Sequence, residues 1–339
     1  MKNLILKDGG IAALVFFVLL ALLPAVTGDA LISIATLVLM FAVYGIAWNL
    51  MMGYVGQLSL GHGLYIGLGA YAVALATGTH GLSPWLGILI GAAISAVVAA
   101  VIAFIGFRFS VRGIYFTLLT IACAEMMRIS FDNWSYVGGT GGYFLKAAGD
   151  THPLLSLRGD STFFYFAFLI LTAITFLCSA ALMKSKFGYF WRAIREDEDA
   201  ARALGVPTLQ LKILAVVISA IMTSIGGSFY ALLSGSLFPD TMMGMRFSIE
   251  IVIAPIIGGL GTLFGPIVGA LFVVPLGEFS NHVAQSTGIY GLNLLIHGAL
   301  LLVVVCFMPE GLWPAIAKRF GRLRAPAAAK ASTPATEGQ

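Results

Sequence analysis

Lys184 to Lys212 reads KSKFGYFWRAIREDEDAARALGVPTLQLK, and almost wholly apolar stretches lie on both sides of it. The chain carries 19 basic and 15 acidic residues, 34 charges in all. Ten of them stand in this one segment: Lys184, Lys186, Arg192, Arg195, Glu196, Asp197, Glu198, Asp199, Arg202 and Lys212. An apolar chain that gathers its charge into one internal loop presents that loop to something in the water. Asp199-Ala200-Ala201, followed after three residues by Gly205, points to a soluble partner that drives the flanking apolar part.

The flanks set the fold class. The chain is 59% hydrophobic and 10% charged, with a mean hydropathy of +0.97. Soluble domains carry roughly a quarter charged residues. A core cannot absorb this much apolar side chain, so lipid must be the solvent for most of the 339 residues. Runs near or above the roughly 18 residues that cross a bilayer as a helix recur at 11–27, 30–51, 60–78, 85–107, 113–130, 162–183, 213–234, 248–259 with 264–280, and 289–308. The expectation is an all-α polytopic membrane protein with about 8–10 transmembrane helices, some of them short or broken. The alternating short segments of a lipid-facing barrel are absent from the sequence. Cys123, Cys178 and Cys306 lie in apolar runs without metal or redox spacing and read as small buried hydrophobes.

The net charge of +4 reads as a topology signal rather than a nucleic-acid one. Lys2 and Lys7 precede the first span, which reads as a retained helix rather than a cleaved leader. Arg108 and Arg112 follow the fourth span, the charged segment follows the sixth, and Lys318, Arg319, Arg322, Arg324 and Lys330 follow the last. Fifteen of the 19 basic residues then share one side, with both termini cytoplasmic, if the pair 248–280 enters and leaves from the same face. That pair, joined by GGLGTLFG at 258–265, is either a re-entrant hairpin or two tilted short helices. Trp48, Trp85, Trp134, Trp191 and Trp313 fall near predicted span ends, as in an aromatic belt. The outer loop from Phe131 to Asp160 carries Gly138-Gly139-Thr140-Gly141-Gly142, either a mobile lid or a plain loop.

Within the charged segment, Glu196 to Asp199 suit the first turn of a helix, where carboxylates meet the positive end of the dipole. Ala200, Ala201, Ala203 and Leu204 give a small apolar face, and Gly205 with Pro207 is a stop signal. A short helix of this kind docks into a groove on another protein.

Arg195-Glu196-Asp197-Glu198-Asp199-Ala200-Ala201-Arg202-Ala203-Leu204-Gly205 resembles the "EAA" coupling motif of ABC-importer permeases, with Asp199 where the motif has Glu. The longer match is similar to the branched-chain amino-acid permeases of the LivM type. Asn49 to His62 (NLMMGYVGQLSLGH), Arg112 to Thr120, Gly138 to Gly142, Ser248 to Glu250 with Gly258 to Gly261 and Gly265-Pro266, and Pro309 to Leu312 follow that family's blocks in order. The resemblance implies the larger importer-permease fold, with residues 1–324 as one permease domain, 184–212 as its cytoplasmic coupling loop and 325–339 as a disordered cytoplasmic tail. It implies a bacterial inner-membrane subunit, paired with a second related permease, above two cytoplasmic ATPases and below a periplasmic binding protein. The ATPases hold ATP and magnesium. This chain lacks GxxxxGK[ST], is not expected to be an enzyme, and binds no cofactor or metal of its own. Arg195, Glu196, Asp197, Glu198, Asp199, Ala200, Ala201 and Gly205 would couple to the ATPases. The solute implied is a branched-chain amino acid; relatives carry urea, short amides, other amino acids or aromatic acids.

The two glycine-rich stretches, Gly53 to Gly63 and Gly258 to Pro266, echo one another, and broken helices in both halves of a transporter point to its pathway. Asn49, Gln57, Ser59, His62, Glu250, Gly258, Gly259 and Gly261 are the pathway candidates. The polar side chains at 49–62 either meet solute or cap the break and bond its stray backbone groups. Glu250 can pair with Arg246, cap its helix or face the pathway. Glu125 and Arg128 form an expected ion pair one turn apart. Glu278 and His282 have no third ligand at metal spacing. An ion-coupled secondary transporter would favour acidic or histidine residues at span centres, where only His297 stands. A membrane enzyme would need a catalytic constellation, and none stands out.

Overall fold

A computed structural model describes residues 15–145, 157, 159–287, 295, 296, 298, 299, 302, 306 and 310–323. With no water to bond its amides, an apolar run must satisfy every N–H and C=O internally, and here the runs become helices. In chain order these are α1 (Val15–Ala25), α2 (Asp29–Val55), α3 (His62–Gly78), α4 (Pro84–Arg108), α5 (Ile114–Asp132), α6 (Ser161–Lys184), α7 (Lys186–Glu196), α8 (Glu198–Ala203), α9 (Thr208–Ser234), α10 (Pro239–Met243), α11 (Met245–Gly258), α12 (Gly265–Thr287) and α13 (Leu312–Leu323). Among the described residues, seven helices are long and apolar enough to cross a membrane: α2, α4, α5, α6, α9, α10 with α11, and α12. The expected first span is described from Val15 on; most of the expected last span, with His297, and the tail 325–339 lie outside the described residues.

α2 is the central post. It packs against α6, α7, α9, α11 and α12, and from Val38 to Val55 nearly every residue is buried. Outer helices divide their faces by size rather than polarity. On α4, Gly87, Gly91, Ser95, Ala99 and Ala103 repeat at four-residue spacing and are buried toward α3 and α9. Leu89, Val97, Val101 and Phe104 on its other side are exposed to where lipid would be. Small residues let backbones approach, which is how helices associate when both faces are apolar.

The α11–α12 pair uses the same device. A Cβ placed on Gly269 would lie 1.7 Å from the carbonyl oxygen of Ala254, so α12 meets α11 backbone to backbone. Gly269→Ala is expected to force these helices apart, at the upper end of the roughly 1–3 kcal/mol typical of overpacking. A fall in the detergent melting temperature with normal insertion would show it; an unchanged melting temperature would mean that the pair tolerates separation.

α11 and α12 also resolve the choice left open at 248–280. They are two helices packed on one another, and α12 runs its 23 residues to Thr287 rather than ending near 280. α11 has only 14 residues, and its crossing is completed by α10 across an extended break at Gly244.

α3 is the other broken element. After Val55 the chain runs back beside α2 and α5 instead of leaving the bundle. The Trp48 indole donates to the Ser59 carbonyl at 2.7 Å, Thr117 Oγ1 to the Leu58 carbonyl at 3.1 Å, and Leu60 N to Thr120 Oγ1 at 3.3 Å. α3 therefore starts inside the bundle, and its 17 residues make roughly 25 Å, short of a full crossing.

Two expectations change. Trp85 and Trp134 are about half exposed, as a belt requires, but Trp48 and Trp191 are fully buried. Trp191 Nε1 donates to the Leu211 carbonyl at 2.9 Å, so these two indoles fasten chain breaks from within. The Gly138–Gly142 stretch is a pair of tight turns leading into β1 (Tyr143–Phe144), which pairs antiparallel with β2 (Ser236–Leu237). Its glycines at φ of 92°, 52° and 80° (Gly138, Gly139, Gly142) serve those turns, not a free lid. At the same end Arg128 meets Glu125 and Asp132 at 2.7 Å each, which extends the expected pair to a triad.

Candidate functional site

The charged segment folds as two short helices. Ser185 Oγ caps α7 by accepting from Phe187 N at 3.2 Å. α7 turns Gly188, Trp191 and Ile194 inward and leaves Phe187, Tyr189 and Phe190 exposed. The acidic run breaks the helix at Asp197, whose Oδ1 accepts from Asp199 N at 2.9 Å and Ala200 N at 3.0 Å and so opens α8. Gly205 ends it at φ 85°, the left-handed conformation a helix stop asks of glycine. The start and stop signals read in the sequence are both in place.

The side chains do not all face the water. Asp199 holds Arg112 through two bonds of 3.0 Å. The Arg112 guanidinium, by its hydrogen bond and then its charge, holds the Asp199 carboxyl below its ordinary range. The carboxylate therefore stays ionised and paired at neutral pH, and the pair is lost only as the pH falls through that lowered value. Glu198 lies 2.8 Å from Lys212 and 2.9 Å from Arg202. Arg195 donates through Nη1 to the Gly53 carbonyl. Ala201 is 4% exposed and belongs to a buried apolar cluster with Tyr54, Val55, Ile194, Leu211 and Ala215. Glu196, Asp197, Ala200 and Gly205 remain exposed, with Leu204 beside them at 86%. The eight predicted coupling residues thus divide into four that tie the segment to the bundle, Arg195 and Asp199 among them still partly exposed, and four that make no such tie and that a partner can meet. Arg112 and Lys212 complete the tie. Their basic charge was legible, but pairing across 87 and 14 residues was not.

The pathway candidates divide as well. Asn49 is buried in α2; its Nδ2 donates to the Thr262 carbonyl at 3.0 Å, and its Oδ1 accepts from Gly261 N at 2.9 Å. The two glycine-rich breaks are therefore in direct contact, with Gly258, Gly259 and Gly261 in the second. Ser59 is buried, and its Oγ accepts from Gly61 N at 3.3 Å. His62 is fully buried with Nε2 at 2.9 Å from Ser219 Oγ, and Ser219 donates its own proton to the Ala47 carbonyl at 2.6 Å. The histidine must then donate from Nε2. Asn49 thus bonds backbone groups of the second break and Ser59 one of the first, whereas His62 bonds Ser219 of α9 and its buried Nδ1 meets no hydrogen-bond partner among the described residues; Gln57 is half-buried in its extended run.

Glu250 lies elsewhere. It accepts from Arg246 Nε at 3.2 Å, while Gly244 takes the cap position of α11. Both line a cavity of about 440 Å³ between α2, α9, α11 and α12. Phe41, Phe247 and Val273 give it apolar wall, and Asp240, Glu278 and Asn281 add polar groups that the sequence did not single out as a set. One cation, several carboxylates and an apolar wall suit a small zwitterion with an apolar side chain. Of the eight pathway candidates, Glu250 is the one on this cavity.

Residues 30–305 match the family described as "Branched-chain amino acid transport system / permease component". The chain is 27% identical to the high-affinity branched-chain amino acid transport system permease protein LivM of Escherichia coli strain K12, over 86% of this chain and 72% of that one. It is 25% identical to the corresponding LivH protein of the same strain, over 80% of this chain and 90% of that one. Among solved structures, PsaBC from Streptococcus pneumoniae in complex with Fab aligns with a TM-score of 0.43 at 15% identity, over 89% of this chain and 97% of that chain.

Proposed function

This chain belongs to the family of branched-chain amino acid transport system permease components, and from that premise we propose that it imports branched-chain amino acids as one half of a permease heterodimer. It is a multi-pass membrane permease subunit of an ATP-driven importer, and ATP is used by partner ATPase subunits. The proposed heterodimer partner is a second permease of the LivH kind. Two ATPases sit against the charged segment in the cytoplasm, and a binding protein delivers solute on the opposite, periplasmic side. The membrane is the bacterial inner membrane, with both termini cytoplasmic. Residues 1–324 act as one permease unit.

One observation carries the ATPase contact. The charged segment is clamped to the bundle by Arg195, Glu198 and Asp199 while Phe187, Tyr189, Phe190 and Leu204 stay uncovered. Rigid attachment on one side and an open apolar face on the other is what transmission of force requires. The cavity at Arg246 and Glu250 is the proposed stretch of the solute pathway. Its guanidinium suits the carboxylate of an amino acid, its carboxylates the ammonium, and Phe41 and Val273 the branched side chain. The breaks at Asn49 to His62 and Gly258 to Gly261 act as moving joints of that pathway.

The test is purification of the tagged chain from its native membrane, with mass spectrometry of what accompanies it, followed by uptake into proteoliposomes. A second permease, two ATPases and uptake of leucine, isoleucine or valine are the expected result. Uptake of urea, amides or aromatic acids instead would keep the importer and replace the solute. The chain alone, with no ATPase, would overturn the importer assembly.

A further inference from the structure

We propose that Arg195 is the link through which movement of the charged segment reaches both glycine-rich breaks at once. This rests on the reading of α7 and α8 as the ATPase contact. Arg195 stands in the last turn of α7, two residues before the Asp197 cap that opens α8. It cannot stay still when α8 is displaced.

Its side chain lies across glycines of both breaks. Nη1 donates to the carbonyl of Gly53, in the last turn of α2. Carbonyls in a last turn lack a helical partner, and a cation is favoured there. Arg195 Cγ is 3.4 Å from where a Cβ on Gly56 would sit, and Nη1 is 2.6 Å from where a Cβ on Gly261 would sit. Gly56 and Gly261 have φ of 76° and 72°, so their backbones as well as their bare Cα atoms are fitted to this contact. A Cβ at Gly261 would displace the guanidinium itself, whereas one at Gly56 would touch only the stem of Arg195.

Asn49 closes the junction from the other side. Through its two bonds it fixes Gly261 and Thr262 to α2 one turn before Gly53. The remaining ties of the segment go elsewhere: Asp199 to Arg112 ahead of α5, and Glu198 to Lys212 in α9. Displacement of α7 and α8 therefore reaches α5 and α9 through ion pairs. It reaches the α2–α3 and α11–α12 breaks through Arg195. The planar, multi-donor guanidinium can hold a carbonyl while lying flat on glycine, which a lysine ammonium cannot do.

The experiment uses the reconstituted importer with its ATPases and binding protein. Arg195→Ala should leave ATPase recovery and hydrolysis near wild type while uptake falls roughly tenfold, so that ATP consumed per solute rises by the same factor. Arg195→Lys should recover part of the loss. Gly261→Ala, which displaces the guanidinium from the opposite side, should reproduce it. Hydrogen exchange gives a readout that a merely structural role would not move. In the wild type, ATP with vanadate should change exchange in 53–61 and 258–265 together, and in Arg195→Ala the change in 258–265 should be lost while that without nucleotide stays the same. Unchanged ATP per solute in Arg195→Ala would overturn the link, and so would loss of the ATPases, which would make Arg195 a docking contact. A wild-type chain that recovers no ATPase would overturn the importer reading, and this proposal with it.

Discussion

An importer carrying Leu204→Asp is expected to insert normally, to lose its ATPases on purification and to take up solute at the background rate. Leu204 is 86% exposed just past the end of α8, held out by the turn at Gly205. A leucine placed there has no packing role to lose, so the substitution leaves the bundle intact. Burying a leucine in a partner's groove contributes roughly 1.5–3 kcal/mol. Aspartate removes that term and places a carboxylate in the groove, beside an already acidic stretch. Together these effects resemble loss of an interface hot spot, about 2–4 kcal/mol. At 1.4 kcal/mol per tenfold, affinity falls by roughly 30- to 700-fold. Leu204→Ala should give a smaller loss of the same kind. Full ATPase recovery with Leu204→Asp would move the docking surface to the exposed aromatics of α7. Ala201→Glu and Gly205→Pro, which the bare motif suggests as uncoupling changes, are poorer probes. The first buries a charge against Tyr54 and Leu211, and the second demands a negative φ where the chain has 85°.

That contrast shows what could be read from the residues alone. Span positions were legible because crossing a bilayer fixes a length, and the caps of α8 because Asp197 and Gly205 act locally. The Glu125–Arg128 pair was legible because one helical turn separates its members. Facing was not legible. In lipid both sides of a helix are apolar, so hydropathy cannot tell that Gly87 to Ala103 point inward. Nor could the sequence separate Ala201, which is buried, from Leu204 three residues on, which is exposed, because both read as one small apolar face. Trp48 and Trp191 looked like interface anchors because their places in the sequence were right; their burial depends on carbonyls at Ser59 and Leu211 that only the fold brings near. The meeting of the two glycine breaks was half legible. Their echo marked both as unusual, but the bond from Asn49 to Thr262 spans 213 residues and follows from no spacing rule.

The ion pair beneath α8 gives the second large effect, and its size differs between the two partners. Lys212 is 4% exposed in the first turn of α9, with its ammonium 2.8 Å from Glu198 and 4.3 Å from the centre of the Phe107 ring. Glu198, at 14%, has a second cation in Arg202 at 2.9 Å. Glu198→Gln therefore strands a buried ammonium with only an aromatic face and an amide oxygen beside it. Leaving one member of a buried pair without its counter-charge costs about 3–5 kcal/mol. Lys212→Met leaves Glu198 paired with Arg202 on its exposed side and sets an apolar side chain against Phe107 in place of the ammonium, so it should cost about 1 kcal/mol, near the value of a surface pair. Glu198→Gln combined with Lys212→Met removes the stranded charge and should regain most of what Glu198→Gln loses. The measurement is the half-life of the purified complex at raised temperature in detergent, a kinetic quantity suited to a protein that unfolds irreversibly. The expected order is wild type, then Lys212→Met and the double variant close together, then Glu198→Gln far below. Equal losses in the two single variants would mean that Lys212 finds water once its partner is gone. A double variant worse than either single would mean that the pair holds α8 by geometry rather than by charge.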